Sequence, residues 1–178
     1  QRQTRQTKGQ NYEQTVNISL REAYAGAVRL INKGGRQIRV NIPAGVDTGK
    51  KIRLAGEGAQ SQFGGQPGDL LLVVDVQPDP QFEREGDDLY TNVHVDALTA
   101  MLGGEAEVPT MTRPLKLQIP AGTQAGKKFR LAGKGMPKIG EKDRYGNLYA
   151  RVMITVPEQL TDEQRALAQQ LRDSLRNR

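Results

Sequence analysis

The chain has 178 residues, a formal net charge of +6, no cysteine and only 4% aromatic residues. The lack of cysteine excludes a disulfide framework and a thiolate zinc site. No apolar stretch approaches the roughly 20 residues that a membrane-spanning helix needs, and no signal-peptide pattern opens the chain. The mixed charges with a basic excess indicate mild attraction to acidic partners. We expect a cytoplasmic protein with no membrane partner, and the start at Gln1 suggests a piece of a longer chain.

One stretch of the sequence occurs twice. Ile42–Gly58 (IPAGVDTGKKIRLAGEG) recurs as Ile119–Gly135 (IPAGTQAGKKFRLAGKG), with 12 of 17 positions identical at an offset of 77 residues. Residues upstream of the stretch obey the same offset. A repeat of this spacing is about the size of a small domain and is too long for a solenoid unit. The sequence therefore predicts two tandem similar domains, residues 12–84 and 85–157.

The first domain is predicted from alternating apolar residues and turn signals. Its predicted strands are Tyr12–Ser19, Ala27–Ile31, Ile38–Ile42, Lys51–Leu54 and Asp69–Val76. A short helical turn at Leu20–Tyr24 precedes Gly26, and the glycines of Asn32–Gly35 predict a tight hairpin. The polar segment Gln1–Asn11 is interpreted as the end of a flexible linker, and the Gly- and Gln-rich Gly56–Gly68 as a mobile loop.

The second domain repeats this plan and is followed by a helix of a different kind. The predicted elements are strands at Leu89–Val95, Glu105–Pro109, Leu115–Ile119, Lys128–Leu131 and Leu148–Val156, with a helical turn near Ala97–Leu102. Residues 158–178 contain a helix at Leu160–Leu175, in which Thr161 and Gln164 fit a capping box. Its apolar face either packs back on the preceding domain or pairs with its copy in another subunit. The predicted fold is mainly β: two tandem β-sandwich-like domains, each with a short helix, plus a C-terminal helix.

Two features that resemble chemical sites have simpler explanations. Gly45–Lys51 (GVDTGKK) has too few residues between its glycines for a phosphate-binding loop, lacks the hydroxyl residue after the lysine, and precedes a predicted strand. His94 is the only histidine, and one histidine without cysteine cannot build a typical transition-metal site. We therefore predict no metal, no cofactor and no catalytic residue, and a protein that is not an enzyme.

Several segments agree, in order and spacing, with a known family. The chain resembles the C-terminal peptide-binding region of DnaJ-type (heat-shock 40) co-chaperones from Tyr12 to Leu175. It is similar to the zinc-free class or to the bacterial curved-DNA-binding-protein branch, because the cysteine-rich module and the His-Pro-Asp loop of a J domain are not in the sequence. The segments that carry the resemblance are Val16–Gly26 (VNISLREAYAG), Ile42–Gly58, Gly68–Val76 (GDLLLVVDV), Pro80–Leu89 (PQFEREGDDL) and Val95–Pro109.

The resemblance implies binding of unfolded polypeptides in a hydrophobic groove beside a sheet edge, and their delivery to a heat-shock 70 partner. An extended client adds a strand to such an edge through main-chain hydrogen bonds. By resemblance, the partner's acidic C-terminal tail docks on basic residues at Arg29 and Lys33. The implied groove residues, which otherwise read as ordinary core residues of alternating strands, are Val16, Ile18, Ile31, Leu70, Leu72 and Val74.

The resemblance also implies that the C-terminal helix forms a homodimer. The residues predicted to form the dimer interface are Leu160, Leu167, Leu171 and Leu175. Two alternatives remain open: a nucleic-acid-binding protein, which the pI of 9.7 favours, and a dimerisation scaffold without clients. The sequence leaves undecided which clients bind, whether both domains carry working grooves, and whether a J domain precedes Gln1.

Overall fold

A computed structural model describes residues 8–61 and 64–176. The described chain clusters into two compact units, and the division runs through several strands. The repeat-based boundaries, 12–84 and 85–157, stay a prediction, since this division follows spatial compactness. The first unit comprises the chain up to Thr91, Pro109–Arg113 and Phe129–Ala150, and the second comprises Asn92–Val108, Pro114–Lys128 and the chain from Arg151.

The first repeat builds a three-stranded sheet and a separate hairpin. Its elements are β1 (Tyr12–Ser19), α1 (Leu20–Ala25), β2 (Ala27–Lys33), β3 (Arg36–Ile42), β4 (Lys51–Leu54) and β5 (Leu70–Gln77). The sheet has the order β1-β5-β4, with β1 parallel and β4 antiparallel to the central β5. Strands β2 and β3 pair only with each other in the described residues. Both β1 and β2 therefore lie at sheet edges.

The second repeat reproduces this topology. Its elements are β6 (Glu83–Glu85), β7 (Asp88–Asp96), α2 (Ala97–Leu102), β8 (Gly104–Val108), β9 (Leu115–Ile119), β10 (Lys128–Leu131), β11 (Leu148–Thr155) and α3 (Asp162–Arg176). The strand order is β10-β11-β7-β6, beside a β8–β9 hairpin. The predicted fold class, mainly β with short helices and a C-terminal helix, is confirmed. The added strand β6 was not predicted, because Glu83–Glu85 carries no apolar alternation.

Each short helix begins and ends through local chemistry. Ser19 caps α1: its hydroxyl accepts a hydrogen bond from the Glu22 N–H at 3.2 Å, and the Glu22 carboxylate accepts one from the Ser19 N–H at 2.9 Å. This reciprocal capping box satisfies two N–H groups that the helix leaves free. Gly26 ends the helix at a φ of +77°, a conformation that side chains with a Cβ rarely adopt. Gly103 ends α2 in the same way, at a φ of +85°.

The cores consist of aliphatic side chains on one face of each long strand. Burial alternates along β1, β5, β7 and β11, as expected for strands with one face covered. Aliphatic residues thus fill most of the core in a sequence with few aromatic residues. The largest fully buried side chains are Ile18, Val46, Leu72, Val74, Leu89, Val93, Val108, Met136, Leu148 and Val152.

The same hydrogen bond anchors the start of the last strand in both repeats. The Asn11 side chain accepts from the Asp69 N–H at 2.8 Å, and the Asp88 side chain accepts from the Asn147 N–H at 2.6 Å. Asn11 and Asp88 differ by 77 residues, so the sequence repeat is also a repeat of contacts. The amide and carboxylate exchange positions between repeats, because either oxygen can accept this bond.

Residues 8–11, the described end of the predicted linker, are hydrogen-bonded to the loop between β4 and β5. Residues 1–7 of that linker lie outside the described residues. Gly9 donates its N–H to the carbonyl of Gln66 at 2.9 Å, and the Gln10 carbonyl accepts from Ala59 at 2.9 Å. Residues 8–11 are thus bonded to the ends of the loop that the sequence predicted to be mobile. Within the described residues, no helix has the length and apolar character needed to cross a membrane.

Candidate functional site

The candidate site begins at the outer edge of β2. Gly34 and Gly35 form its hairpin turn with φ values of +54° and +79°, and Lys33 pairs with Arg36 on either side. A two-residue turn of this kind makes the flanking residues a hydrogen-bonded pair. Hydrogen-bonded and non-hydrogen-bonded pairs alternate along an antiparallel ladder, so Val28, Leu30 and Asn32 direct their N–H and C=O groups away from β3. No strand pairs with this edge in the described residues.

The six predicted groove residues all lie in the core of the first repeat. The exposed fractions are 7% for Val16 and 8% for Ile31, and between 0 and 4% for the other four. This burial is what the core interpretation predicts. Val16 on β1 and Ile31 on β2 keep the most exposure, and both belong to edge strands. The assignment of the six residues to a client groove stays a prediction. In such a groove, a ligand would contact Val16 and Ile31 before the other four. The other four are Ile18, Leu70, Leu72 and Val74.

Exposed apolar side chains of this hairpin lie on the opposite face of β2. Val28 is 48% exposed and Leu30 is 60% exposed. Their cross-strand partners on β3 are Asn41 and Arg39. This pair was not predicted, because only the buried side of β2 was considered. The repeat offset of 77 residues pairs Val28 with Glu105 and Leu30 with Glu107, and this exchange of apolar for acidic residues is the signal that could have revealed it.

Arg29 lies on the inner face of β2 and is already paired. Its Nη2 is 2.6 Å from Oε1 of Glu22 on α1, and both side chains are about one-third exposed. The Ser19 N–H, followed by Ser19 Oγ and Arg29, holds the pKa of the Glu22 carboxyl below its usual value despite partial burial. Arg29 is thus the member of the predicted tail site that contacts the α1 cap. A carboxylate that binds Arg29 therefore has to share its guanidinium with Glu22 or displace Glu22.

Lys33 is also engaged by the chain's own acidic group. Its Nζ donates to the backbone carbonyls of Glu57 and, at 2.9 Å, of Gly58. The Glu57 carboxylate lies 3.6 Å from Lys33 Nζ and 3.1 Å from Arg36 Nη2. The structure therefore places a carboxylate between two cations at the hairpin tip. Arg29 and Lys33 share one strand but contact different acidic residues.

Two edges of the second repeat are built differently. At the edge that corresponds to β1, strand β6 pairs with the first residues of β7, so that Glu83 faces Tyr90 and Glu85 faces Asp88. At the positions of Val28 and Leu30, strand β8 carries the exposed Glu105 and Glu107. The positions of Arg29 and Lys33 hold Ala106 and Thr110, and the Thr110 hydroxyl donates to the Arg113 carbonyl. The exposed apolar pair and the two basic residues of β2 thus have no counterparts at the equivalent positions of the second repeat.

The predicted dimer helix presents an uncovered apolar face. The predicted capping box is present, since Thr161 Oγ1 accepts from the Gln164 N–H at 3.2 Å and Gln164 Oε1 accepts from the Thr161 N–H at 3.0 Å. An apolar groove runs between α3, Leu98 of α2 and Val156 after β11. The four predicted interface residues are exposed by 37 to 58%: Leu160, Leu167, Leu171 and Leu175.

The basic segment and the histidine set aside in the sequence are described by their contacts and exposure. Gly49 and Lys50 use their backbone groups to pair with Val74, as in a strand rather than a phosphate cradle. Lys51 is paired with Glu13, and Arg53 with Asp69 at 2.8 Å, so their positive charge is locally neutralised. A nucleic-acid surface requires cations available to phosphates. His94 is exposed on β7.

The fold and these edges define a class of protein: two similar β-rich repeats with open edge strands, followed by an exposed helix. A family model of the DnaJ C-terminal domain matches residues 12–157. The chain is 44% identical over 164 residues to the Chaperone protein DnaJ of Deinococcus proteolyticus, covering 92% of this chain and 50% of that protein. It is 43% identical over 170 residues to the Chaperone protein DnaJ 2 of Thermus thermophilus, covering 96% and 59% respectively.

These matches confirm the resemblance seen in the sequence: the chain belongs to the DnaJ C-terminal domain family. It spans about half the length of these curated relatives. Both of these relatives are named as chaperones.

Proposed function

We propose that this chain is the client-binding part of a DnaJ-type co-chaperone. It holds non-native polypeptides as an added strand on the open edge of β2, with Val16 and Ile31 as the accessible part of an otherwise buried apolar floor. The observation that carries this proposal is the unpaired β2 edge, flanked by apolar side chains and by basic residues. Main-chain bonding tolerates many client sequences, and apolar contacts supply the preference for unfolded chains.

The decisive experiment uses one extended apolar peptide in two forms. In the second form, the backbone N–H groups of the central residues are methylated on both edges of the extended peptide, because a peptide methylated on one edge could still pair through the other. The side chains of the two forms are the same. We expect the methylated form to bind at least about 10-fold more weakly, because several main-chain bonds are lost at once. Equal affinity of the two forms would mean that clients do not bind by strand addition.

The delivery step is part of the same proposal. A heat-shock 70 partner with an acidic C-terminal tail would contact Arg29 and Lys33, since carboxylates form charge-assisted bonds with both types of cation. Glu22 and Glu57 occupy these cations in the free chain. The tail would therefore exchange with the chain's own carboxylates.

The proposed co-chaperone acts as a homodimer through α3. Two copies would each cover the exposed leucine face of the other, and two weak client sites on one scaffold combine through effective concentration. The expected cytoplasmic location and the absence of enzymatic activity belong to this proposal. The carboxylate partners of Lys51 and Arg53 do not favour the nucleic-acid alternative.

A further inference from the structure

The outer face of the first hairpin carries an apolar strip for which neither the core nor the predicted groove accounts. We call Val28 and Leu30 the outer strip. Both are exposed, by 48% and 60%. The rest of that face consists of Asn32 on β2 and Gln37, Arg39 and Asn41 on β3. The face therefore has no acidic residue, and its one charged group is the guanidinium opposite Leu30.

The second repeat shows that the fold does not require apolar residues at these positions. Glu105 and Glu107 occupy the equivalent places on β8, and Glu105 bonds to Lys116 at 3.2 Å and to Gln118 at 2.7 Å. Charged residues on an exposed edge prevent unwanted strand pairing. Strand β8 has this protection on its outer face and β2 does not. A ligand explains the difference, because the two hairpins pair in the same register, with Ala27 opposite Ile42 and Gly104 opposite Ile119.

Strand addition brings a client onto this face. The residues of the outer strip are also those whose backbone groups point away from β3, as the register of the Lys33–Arg36 turn requires. Side chains of an added strand alternate between the two faces of a sheet. Every second client side chain therefore lies over the inner face with Ile31, and the others lie over the outer strip.

We propose that the outer strip is a second apolar contact for the client, which rests on the proposed function. The occupant is an extended non-native segment with apolar side chains at consecutive positions, so that both of its faces are covered. An acidic client residue fits beside Leu30, where Arg39 is its partner. The first hairpin thus selects continuous apolar segments, such as buried strands of unfolded proteins, over segments that alternate apolar and polar residues.

The test compares an alternating peptide, apolar at every second position, with a run peptide, apolar at every central position. The unmodified chain should bind the run peptide about 10-fold more tightly, because additional side chains become buried. The variant V28T/L30T places β-branched threonine, which suits a strand, at both positions. It should lose this preference, while its affinity for the alternating peptide stays the same. The single variant V28T should lose part of the preference. As a matched control, Leu102→Ser removes another exposed apolar side chain, on α2, and should leave the preference intact.

The results separate this proposal from the one on which it rests. The outer strip is not a client contact if V28T/L30T retains the preference for the run peptide, or if the unmodified chain has no preference. Failure of strand addition itself appears instead as equal binding of the methylated and unmethylated peptides. Circular dichroism identifies a variant that does not fold, and in that case the single variant decides the outcome.

Discussion

Arg29 on β2 and Glu22 on α1 form an ion pair, with Nη2 and Oε1 2.6 Å apart. The same glutamate closes the capping box with Ser19. The candidate tail site is therefore connected to the start of α1 by one carboxylate. Lys33 has a comparable internal partner in Glu57. These acidic residues determine what an incoming acidic peptide must replace.

Removing an internal carboxylate should strengthen binding of an acidic tail peptide. In Glu57→Gln, the charge that occupies Lys33 and Arg36 is lost, while the carbonyl bonds to Lys33 remain possible. We expect about a 2- to 5-fold gain in affinity at low salt, the scale of a partly exposed ion pair, and a smaller gain at high salt. Isothermal titration at two ionic strengths measures it. Glu105→Gln on the second hairpin is the matched control, and an equal gain there would argue against competition at the first hairpin.

Charged substitutions on the apolar face of α3 should separate the proposed dimer. Leu167→Asp combined with Leu171→Asp places two carboxylates where two helices would pack, which costs several kcal/mol. Light scattering should then give the mass of a monomer at concentrations where the unmodified chain is dimeric. Arg165→Asp with Gln169→Asp adds the same number of acidic residues on the opposite face and should remain dimeric. A dimer that survives the leucine substitutions would place the interface elsewhere.

Stability at acid pH should depend on Asp69. The Lys8 ammonium, the Gly56 N–H and the Arg53 guanidinium hold the pKa of this carboxyl below its usual range. A lowered folded-state pKa stabilises the protein above the unfolded-state pKa, near 4 for an aspartate, and this contribution is lost as the pH falls through the folded-state value. The Asp69→Asn variant should have a lower free energy of unfolding than the unmodified chain at pH 7. From about pH 5 downward, its free energy of unfolding should fall less than that of the unmodified chain. Urea unfolding across that range tests this, and parallel pH curves for the two proteins would contradict it.

Two glycines should differ strongly in their response to alanine. A Cβ on Gly68 would lie 2.0 Å from the Gln10 carbonyl oxygen, whereas a Cβ on Gly122 meets nothing within 4 Å. Gly122→Ala should cost about 1 kcal/mol, because its φ is +75°. Gly68→Ala should cost at least about 3 kcal/mol or release residues 8–11 from the fold. Chemical denaturation compares the two. Similar losses would show that the contact with Gln10 relaxes at little cost.

Much of the fold follows from the sequence because the repeat and the alternation are local signals. The parity of β1 and β5 predicted which side chains are buried, and Thr161 with Gln164 predicted the start of α3. Strand β6 was missed, since Glu83–Glu85 pairs through its backbone and has no apolar period. The exposed pair Val28 and Leu30 was missed because alternation assigns a strand's faces without saying that both can be apolar.

By itself, the sequence determined the duplication, the mainly β class, the buried parity of β1 and β5 and the capped helix, because each follows from the order of residue types along the chain. The tertiary structure alone decided which strand edges stay unpaired, that β6 covers part of β7, and that Glu22 and Glu57 occupy Arg29 and Lys33. The physical reason is that hydrogen-bond partners and ion pairs are set by distances in space. Glu57 and Lys33 are separated by 24 residues along the chain, and no periodicity of the sequence records their contact.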